Sequence, residues 1–419
     1  MRKSLFNTLD DFCYRDKTVI LRVDINSPLD PVTKTIVNDN RLDKSIPTLK
    51  ELLEQGAKIV LLAHQGDTLD YHNLIPLTEH AQKLSKKVGQ HIDYIDDAAG
   101  PAAEAAVQAL KPGEAVLLGN VRYLTEEVST FEDSVSLSVS EMAECYLIRR
   151  LAPLADYYVN DAFSAAHRNA PSMVGFTAVL PTAAGRQLVK EVSALEKIMK
   201  TPASPAVFVL GGLKIADAFG MIEGVLKNGS ADSILTGGVL GIVMLMAGGT
   251  EFSREQTRFV YERGLGTFLK PAERYLRDYG DRFVNPKDFA FRDGPMRREV
   301  DSKDLPKACG LLMDIGEKTI QVYRRMLNEA GSIFINGPMG VYEDPLFSQG
   351  TKEVWKAAAD SSGYSVVGGG DSVNAAVSLV DDAENRFSYI CTAGGALVRY
   401  LSGMELPLIK ALKEAYRKV

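Results

Sequence analysis

Two groups of residues have the types and spacing to do chemistry. In the first half, Arg22, Asp24 and Asn26 close one apolar run, His64 a second, Arg122 a third, and Asn160, Asp161, His167 and Arg168 a fourth, with Arg41 in the segment after the first. Any one of these alone reads as a surface residue or a satisfied polar group. Four arginines and two histidines gathered in this way read as an anion site, because the planar guanidinium fork matches carboxylate and phosphate oxygens. In the second half the apolar runs end in glycine instead: Gly211-Gly212, Gly237-Gly238, Gly337-Pro338-Met339-Gly340, Gly368-Gly369-Gly370 and Gly394-Gly395. Glycine lets the backbone turn sharply into a helix whose free N–H groups face phosphate. One such turn is only a turn, whereas a succession of them points to nucleotide phosphates. None fits G-x-x-x-x-G-K-[ST] or G-x-G-x-x-G, which argues against a P-loop and a Rossmann dinucleotide site. Lys214 sits where an ammonium could reach a terminal phosphate, or where a solvated lysine opens a helix. Asp371, after Gly370, could hold Mg²⁺ or cap its helix.

The elements that must position these residues are apolar β-branched runs alternating with helix-period segments. Strands are predicted at Thr18–Asp24, Lys58–His64, Ala115–Gly119 and Asp156–Asp161, then at Ala206–Leu210, Ser233–Leu235, Ser332–Ile335, Ser365–Val367 and Phe387–Cys391. They are continuously apolar, as strands covered on both faces are. Helices are predicted between them, at Asp43–Gln55, Glu79–Val88 and Lys352–Asp360 among others. Alternating βα units imply an α/β fold with parallel, doubly wound sheets, whose ligands bind at the carboxyl ends of the strands. A chain of 419 residues suggests two or three domains at ~150 residues each. A proline-containing break at Thr201–Pro205 follows the helix candidate Arg186–Lys200. The stretch 250–298 is charged and reads as irregular.

Composition narrows the partners. Lys and Arg total 48 against 54 Asp and Glu, a net charge of −6, which disfavours general nucleic-acid binding. No apolar run approaches the ~20 residues of a membrane span, and the start, MRKSLFNTLDDF, meets acids too early for a secretory signal. Cys13, Cys145, Cys309 and Cys391 form no C-x-x-C pair, which disfavours structural zinc and a disulfide framework and suits free thiols in a reducing cytoplasm. The unaided reading is one nucleotide domain and one small-anion domain, the make-up of a phosphotransferase.

A resemblance to a known family follows from RVDINSP (Arg22–Pro28), NDNRLDKSIPT (Asn38–Thr48), AHQGD (Ala63–Asp67), GNVRY (Gly119–Tyr123) and YVNDAFSAAHRNAPSMVGF (Tyr158–Phe176). The second half adds LGGLK (Leu210–Lys214), DIGEKT (Asp314–Thr319), NGPMGVYE (Asn336–Glu343), FSQGT (Phe347–Thr351), VGGGDS (Val367–Ser372), CTAGGA (Cys391–Ala396) and LPLIKAL (Leu406–Leu412). In this order they resemble phosphoglycerate kinase, with features of archaeal-type members. The resemblance implies a reversible, ATP-dependent kinase acting on the carboxylate of 3-phosphoglycerate, with ATP/ADP and Mg²⁺ as cofactors, working as a monomer without nucleic-acid or membrane partners. It implies a substrate site of Arg22, Asp24, Ile25, Asn26, Arg41, His64, Gln65, Gly66, Asp67, Arg122, His167 and Arg168. The nucleotide would fall to Gly212, Lys214, Gly237, Gly238, Asn336, Glu343, Gly369, Gly370, Asp371, Ser372, Gly394 and Gly395. Arg41 and Lys214 would be catalytic, Glu343 would take the ribose, and Asp371 the metal. The corresponding architecture is two doubly wound parallel-sheet lobes: residues 1–185 for phosphoglycerate, a hinge helix at 186–200, residues 201–405 for nucleotide, and a tail at 406–419 returning to the first lobe. Closure about the hinge would join the two ligands.

The chain departs from the family pattern in four places. H-x-G-R reads His64-Gln65-Gly66-Asp67, S-T-G-G-G-A reads Cys391-Thr392-Ala393-Gly394-Gly395-Ala396, GGAK carries Leu213, and a second lysine is Ala218. The first two keep open a kinase of the same fold for a different hydroxy-acid carboxylate, or a non-catalytic nucleotide-binding paralogue.

Overall fold

The structure is a computed structural model that describes residues 5–66, 71–307 and 310–416. The chain divides into two compact units. One holds the described residues up to Val192 together with those from Glu405 onward, and the other is Ser193–Met404.

The first unit is built on β1 (Thr18–Arg22), β2 (Lys58–Leu62), β3 (Ile92–Ile95), β4 (Ala115–Leu118), β5 (Tyr157–Asn160) and β6 (Thr182–Ala184), in the order β3-β4-β2-β1-β5-β6. Every pairing is parallel, with Thr18 opposite Lys58 and Val19 opposite Tyr157. All five residues of β1 are buried, and successive side chains feed opposite faces. Val19 and Leu21 join a core with Leu42, Leu49 and Leu61, while Ile20 joins another with Val60, Val116, Tyr158 and Phe176. A strand with a core on each face must be apolar at every position, which is why it reads as a continuous run. Each fully buried aliphatic side chain contributes about 1.5–3 kcal/mol. The edge strands β3 and β6, IDYI and TAA, lack such a run and were not expected. Helix Pro407–Tyr416 packs in this unit, with Leu408, Ile409 and Leu412 buried and the Leu408 N–H donating to the Ala166 carbonyl at 3.2 Å.

The second unit repeats the plan with β7 (Ala206–Leu210), β8 (Ser233–Thr236), β9 (Phe283–Val284), β13 (Ser332–Asn336), β14 (Tyr364–Val367) and β15 (Tyr389–Ile390), in the order β15-β14-β13-β7-β8-β9, again all parallel. It adds a small antiparallel sheet of β10 (Asp288–Asp293), β11 (Met296–Asp301) and β12 (Leu312–Ile315), in the order β11-β10-β12. The stretch expected to be irregular is therefore ordered: helices Arg254–Glu262 and Leu269–Tyr279 precede a hairpin that turns at Gly294, φ +57°. Helix Arg186–Met199 starts in the first unit, where the Arg186 guanidinium binds Asp10 and Glu51 at 2.6–2.8 Å, and the division between units falls within it.

Candidate active site

In the first unit the strand order sets β4, β2, β1 and β5 side by side, so their carboxyl ends form one row. From that row come Arg122 after β4, His64 after β2, Arg22, Asp24 and Asn26 at the end of β1, and His167 and Arg168 after β5. Arg41 lies in the first turn of helix Asn40–Glu54 and reaches back, its Nη1 donating to Asp24 Oδ2 at 2.6 Å. The Ser164 hydroxyl donates to the same carboxylate oxygen. The Asn26 carboxamide oxygen accepts the Gly66 N–H at 3.0 Å, tying the β1 loop to the β2 loop.

His64 sits at the centre of this charge. Burial, reinforced by the positive charges of Arg22, Arg122, Arg41 and Arg168, holds its imidazole well below the ordinary value, so the ring is neutral. Arg22 Nη2 lies 2.9 Å from His64 Nδ1. A guanidinium can only donate, so Nδ1 accepts and the ring proton is on Nε2. Behind Arg22 the chain of bonds continues inward: its Nε donates to Ser172 Oγ at 3.1 Å, and Ser172 gives its hydroxyl to Glu127 Oε2 at 2.6 Å and its N–H to Oε1 at 2.5 Å. Burial pushes the Glu127 carboxyl up, against these bonds and the nearby charge of Arg22. Arg168 pairs through Nε with Glu132 at 3.0 Å, while its Nη2 is buried with no hydrogen-bond partner among the described residues. A buried donor of a charged group left unmet is costly, and an anion bound here would meet it.

Not every expected residue faces this space. Gln65 turns inward: Oε1 accepts from the Ser27 N–H at 2.9 Å and lies 3.0 Å from His80 Nε2, and Nε2 donates to the Ser27 carbonyl at 3.0 Å. Ile25 is fully buried in the core. Both position the loops and leave at most their backbone for a ligand. Asp67 lies outside the described residues. Sequence reasoning passed over Glu127, Ser172 and Ser164, and over Asn120. The Asn120 oxygen receives the N–H groups of Gln65 and Arg122 at 3.2 and 3.1 Å. Their importance rests on contacts between distant parts of the chain, which no local pattern announces.

The second unit is arranged differently. Its glycine turns follow β14, β13, β7 and β8, again neighbours, but three of them close on one another. Gly212 donates to the Pro338 carbonyl at 2.7 Å and Gly238 to the Met339 carbonyl at 2.8 Å. A Cβ at Gly337 would stand 2.2 Å from the Gly211 oxygen, at Gly238 2.7 Å from the Gly212 nitrogen, and at Gly237 2.4 Å from the Met339 sulfur. These glycines are needed for packing between loops, a reason other than the phosphate approach expected of them. Gly370 and Gly394 fit that expectation better, because nothing lies within 4 Å of a Cβ built on either. Gly369, φ +86°, precedes helix Gly370–Leu379, and Gly395 opens helix Gly395–Leu401. Asn336 and Ser372 brace the turns: Asn336 Nδ2 donates to the Gly368 carbonyl at 2.9 Å, and Ser372 Oγ accepts the Gly337 N–H at 2.6 Å.

Beside these turns lies a cavity of about 480 Å³, within the range of small-molecule sites. Gly212, Lys214, Gly238, Glu343 and Asp371 line it, with Val239, Ile242, Phe259, Phe289, Leu312 and Val341 supplying an apolar part. Lys214 Nζ and Asp371 Oδ2 are 3.6 Å apart with side chains 78% and 58% exposed, so both charges stand open to a ligand. Leu213 is half exposed and lines the same cavity, whereas Ala218 and Ala393 are buried, the latter keeping its methyl out of the open turn. Phe259 and Phe289, from helix Arg254–Glu262 and strand β10, belong to the stretch 250–298 that reads as irregular in sequence, and Leu312 comes from β12 of the same antiparallel sheet.

A parallel-sheet unit that gathers guanidinium and imidazole donors, continued in the same chain by one with a nucleotide-sized cavity beside a lysine, defines a small-molecule phosphotransferase. A family model described as phosphoglycerate kinase matches residues 9–404. The phosphoglycerate kinase of Methanothermus fervidus is 40% identical over 413 residues, 99% of this chain and 98% of the relative, and that of Thermococcus kodakarensis 39% identical over 415, 98% of each. The crystal structure of the Pyrococcus horikoshii OT3 phosphoglycerate kinase aligns with a TM-score of 0.87 at 37% identity, covering 99% of this chain and 100% of that one. The chain belongs to the phosphoglycerate kinase family. The similarity to archaeal members expected from the motifs holds, and relatives so named along the whole length do not favour a different acceptor acid or a non-catalytic paralogue.

Proposed function

We propose that this chain transfers the γ-phosphoryl group of ATP reversibly to the carboxylate of 3-phosphoglycerate, giving 1,3-bisphosphoglycerate and ADP, in the cytoplasm. The observation that carries the reading is His64, neutral with its proton on Nε2 among four guanidinium groups, one with a buried donor that meets no partner among the described residues. That is a site for a small, multiply charged anion. Asp24, Asn26, Arg41, His64, Arg122, His167 and Arg168 hold the phosphoglycerate, with Arg22 setting the His64 tautomer. A carboxylate oxygen attacks the γ-phosphorus as the bond from that phosphorus to the β–γ bridging oxygen breaks. The acceptor is already an anion, so no general base is required. Catalysis is positioning and charge stabilisation: Arg41 faces the transferring group from the acceptor side and Lys214 from the nucleotide side. The apolar part of the cavity takes the base, and Glu343 the ribose.

The residues present fit a cation that arrives with the nucleotide. Among the described residues no cluster of three His, Cys, Asp or Glu could hold a metal alone, whereas Asp371 offers one exposed carboxylate beside the phosphate position. Mg²⁺ is commonly bound in this way, by one or two carboxylates plus substrate phosphates, and when bound it neutralises phosphate charge. Acceptor and nucleotide groups belong to different units, so transfer requires them to be brought together, and helix Arg186–Met199 is the element we assign to that motion.

The test is ADP release from MgATP with 3-phosphoglycerate in a coupled assay. Saturable, phosphoglycerate-dependent turnover is expected. Turnover with another hydroxy acid but none with 3-phosphoglycerate would sink the acceptor assignment.

A further inference from the structure

Two polar side chains that the family motifs do not account for line the nucleotide cavity, Gln256 and Arg263, and of these Gln256 is the buried one. Gln256 lies in the first turn of helix Arg254–Glu262, its N–H donating to the Ser253 hydroxyl at 3.3 Å, and its side chain is 2% exposed while lining the cavity with Phe259, Phe289 and Leu312. Gln256 Oε1 accepts the Leu312 backbone N–H at 3.0 Å. A backbone N–H can only donate, so this bond fixes which end of the carboxamide is oxygen and which is nitrogen. Among the described residues Nε2 has no hydrogen-bond partner, and it is not among the fully enclosed atoms that lack one. Its two N–H donors are therefore left for whatever fills the cavity. A carboxamide held with its oxygen engaged is a donor of fixed direction, and a donor in an apolar site discriminates by what it leaves unmet.

From this geometry we infer that Gln256 is a base-reading residue, whose Nε2 donates to an unprotonated ring nitrogen of the purine of the bound nucleotide. The inference rests on the reading that this cavity takes the nucleotide, and it adds the residue and the atom type by which the base is selected. It also gives the antiparallel sheet a purpose. Leu312 opens β12, so the sheet edge holds the oxygen end of the carboxamide and thereby aims the nitrogen end.

The test is equilibrium binding of MgADP and of its 1-deaza, 3-deaza and 7-deaza analogues to the wild type, Gln256→Glu and Gln256→Met. Each analogue replaces one ring nitrogen by C–H. The wild type is expected to bind one of the three about fivefold more weakly than MgADP, the size of one net hydrogen bond, and the other two like MgADP. Gln256→Glu keeps an acceptor for the Leu312 N–H but has no donor, so it should lose that discrimination and bind MgADP itself more weakly. Gln256→Met, of similar length, should lose the discrimination too. If the wild type binds all three analogues as it binds MgADP, or if either variant retains the preference, the assignment is overturned. Turnover of 3-phosphoglycerate with MgATP by the wild type is measured alongside. A wild type that binds MgADP with the expected analogue pattern but does not turn over 3-phosphoglycerate would break the proposed function and leave the base-reading role standing.

Discussion

The two units solve the same topological problem with opposite means. Both line up four neighbouring parallel strands and present the loops at their carboxyl ends, yet the first fills that edge with charged side chains bound to one another and the second leaves it open. Arg22, His64, Asp24 and Arg41 each have protein partners within 3 Å, whereas Lys214 and Asp371 stand exposed 3.6 Å apart. The difference follows from ligand size. A three-carbon acid offers few atoms, so its donors must be held in place beforehand. A nucleotide offers a base, a sugar and phosphates, so room and a few directed groups are enough.

The contrast is tested most strongly by removing one cation from each side. Arg41→Ala and Lys214→Ala should each lower kcat by ~10²-fold or more, since donors aimed at developing charge are worth about 3 kcal/mol. Their stabilities should part. Arg41→Ala strips the buried Asp24 of its ion pair and should lower Tm by a few degrees. Lys214→Ala removes only an exposed contact and should leave Tm almost unmoved. Near-wild-type turnover in either would take that residue out of the mechanism, and equal losses of Tm would erase the contrast.

A smaller effect is expected behind the first site. Glu127→Gln removes the carboxylate that anchors Ser172 and so Arg22, loosening the bond that sets the His64 tautomer. KM for 3-phosphoglycerate should rise about tenfold, the scale of one hydrogen bond to a charged group, with KM for ATP unchanged. Equal rises in both constants would reduce Glu127 to a general support of the fold.

The smallest effect is one of pH. All five histidines precede residue 193, so the second unit has none. Burial pushes His80 down to about 4, against an ordinary value near 6.5. Its folded form stays neutral where the unfolded chain is protonated, so the stability it contributes is complete above about 6.5 and drains away as the pH falls toward 4. Calorimetry between pH 7 and 5 should show a shallower loss of Tm in His80→Gln than in the wild type. Parallel slopes would mean that His80 titrates alike folded and unfolded.

The sheet centres were legible because burial on both faces writes an uninterrupted apolar run, as in Thr18–Arg22 and Ala206–Leu210. Strand β3, IDYI, lies at an edge with one face partly wet, β10, DFAFRD, holds only three apolar residues between charges, and β11, MRREVD, is mostly charged, so a search for continuous runs passes over all three. In the site, the residue types suited to anions were readable from chemistry and motif order. The groups that aim them were not. Glu127 and Ser172 are 45 residues apart, and Gln256 meets Leu312 across 56, separations fixed only by folding. Glycine alone does not tell its reason, since a turn that admits a phosphate and one that admits another loop need the same missing Cβ.

The division of the chain has a consequence for its synthesis. The first unit is interrupted after Val192 and resumes only at Glu405, so the second unit is an insertion within it. On a ribosome adding about 5–20 residues per second, even Arg168, the last of the four site arginines, emerges roughly 12–48 seconds before helix Pro407–Tyr416 arrives to dock on Ala166 beside it. The nucleotide unit, contiguous in sequence, is complete first. The acceptor unit is thus the last part of the enzyme to be finished, after the unit that carries the nucleotide cavity.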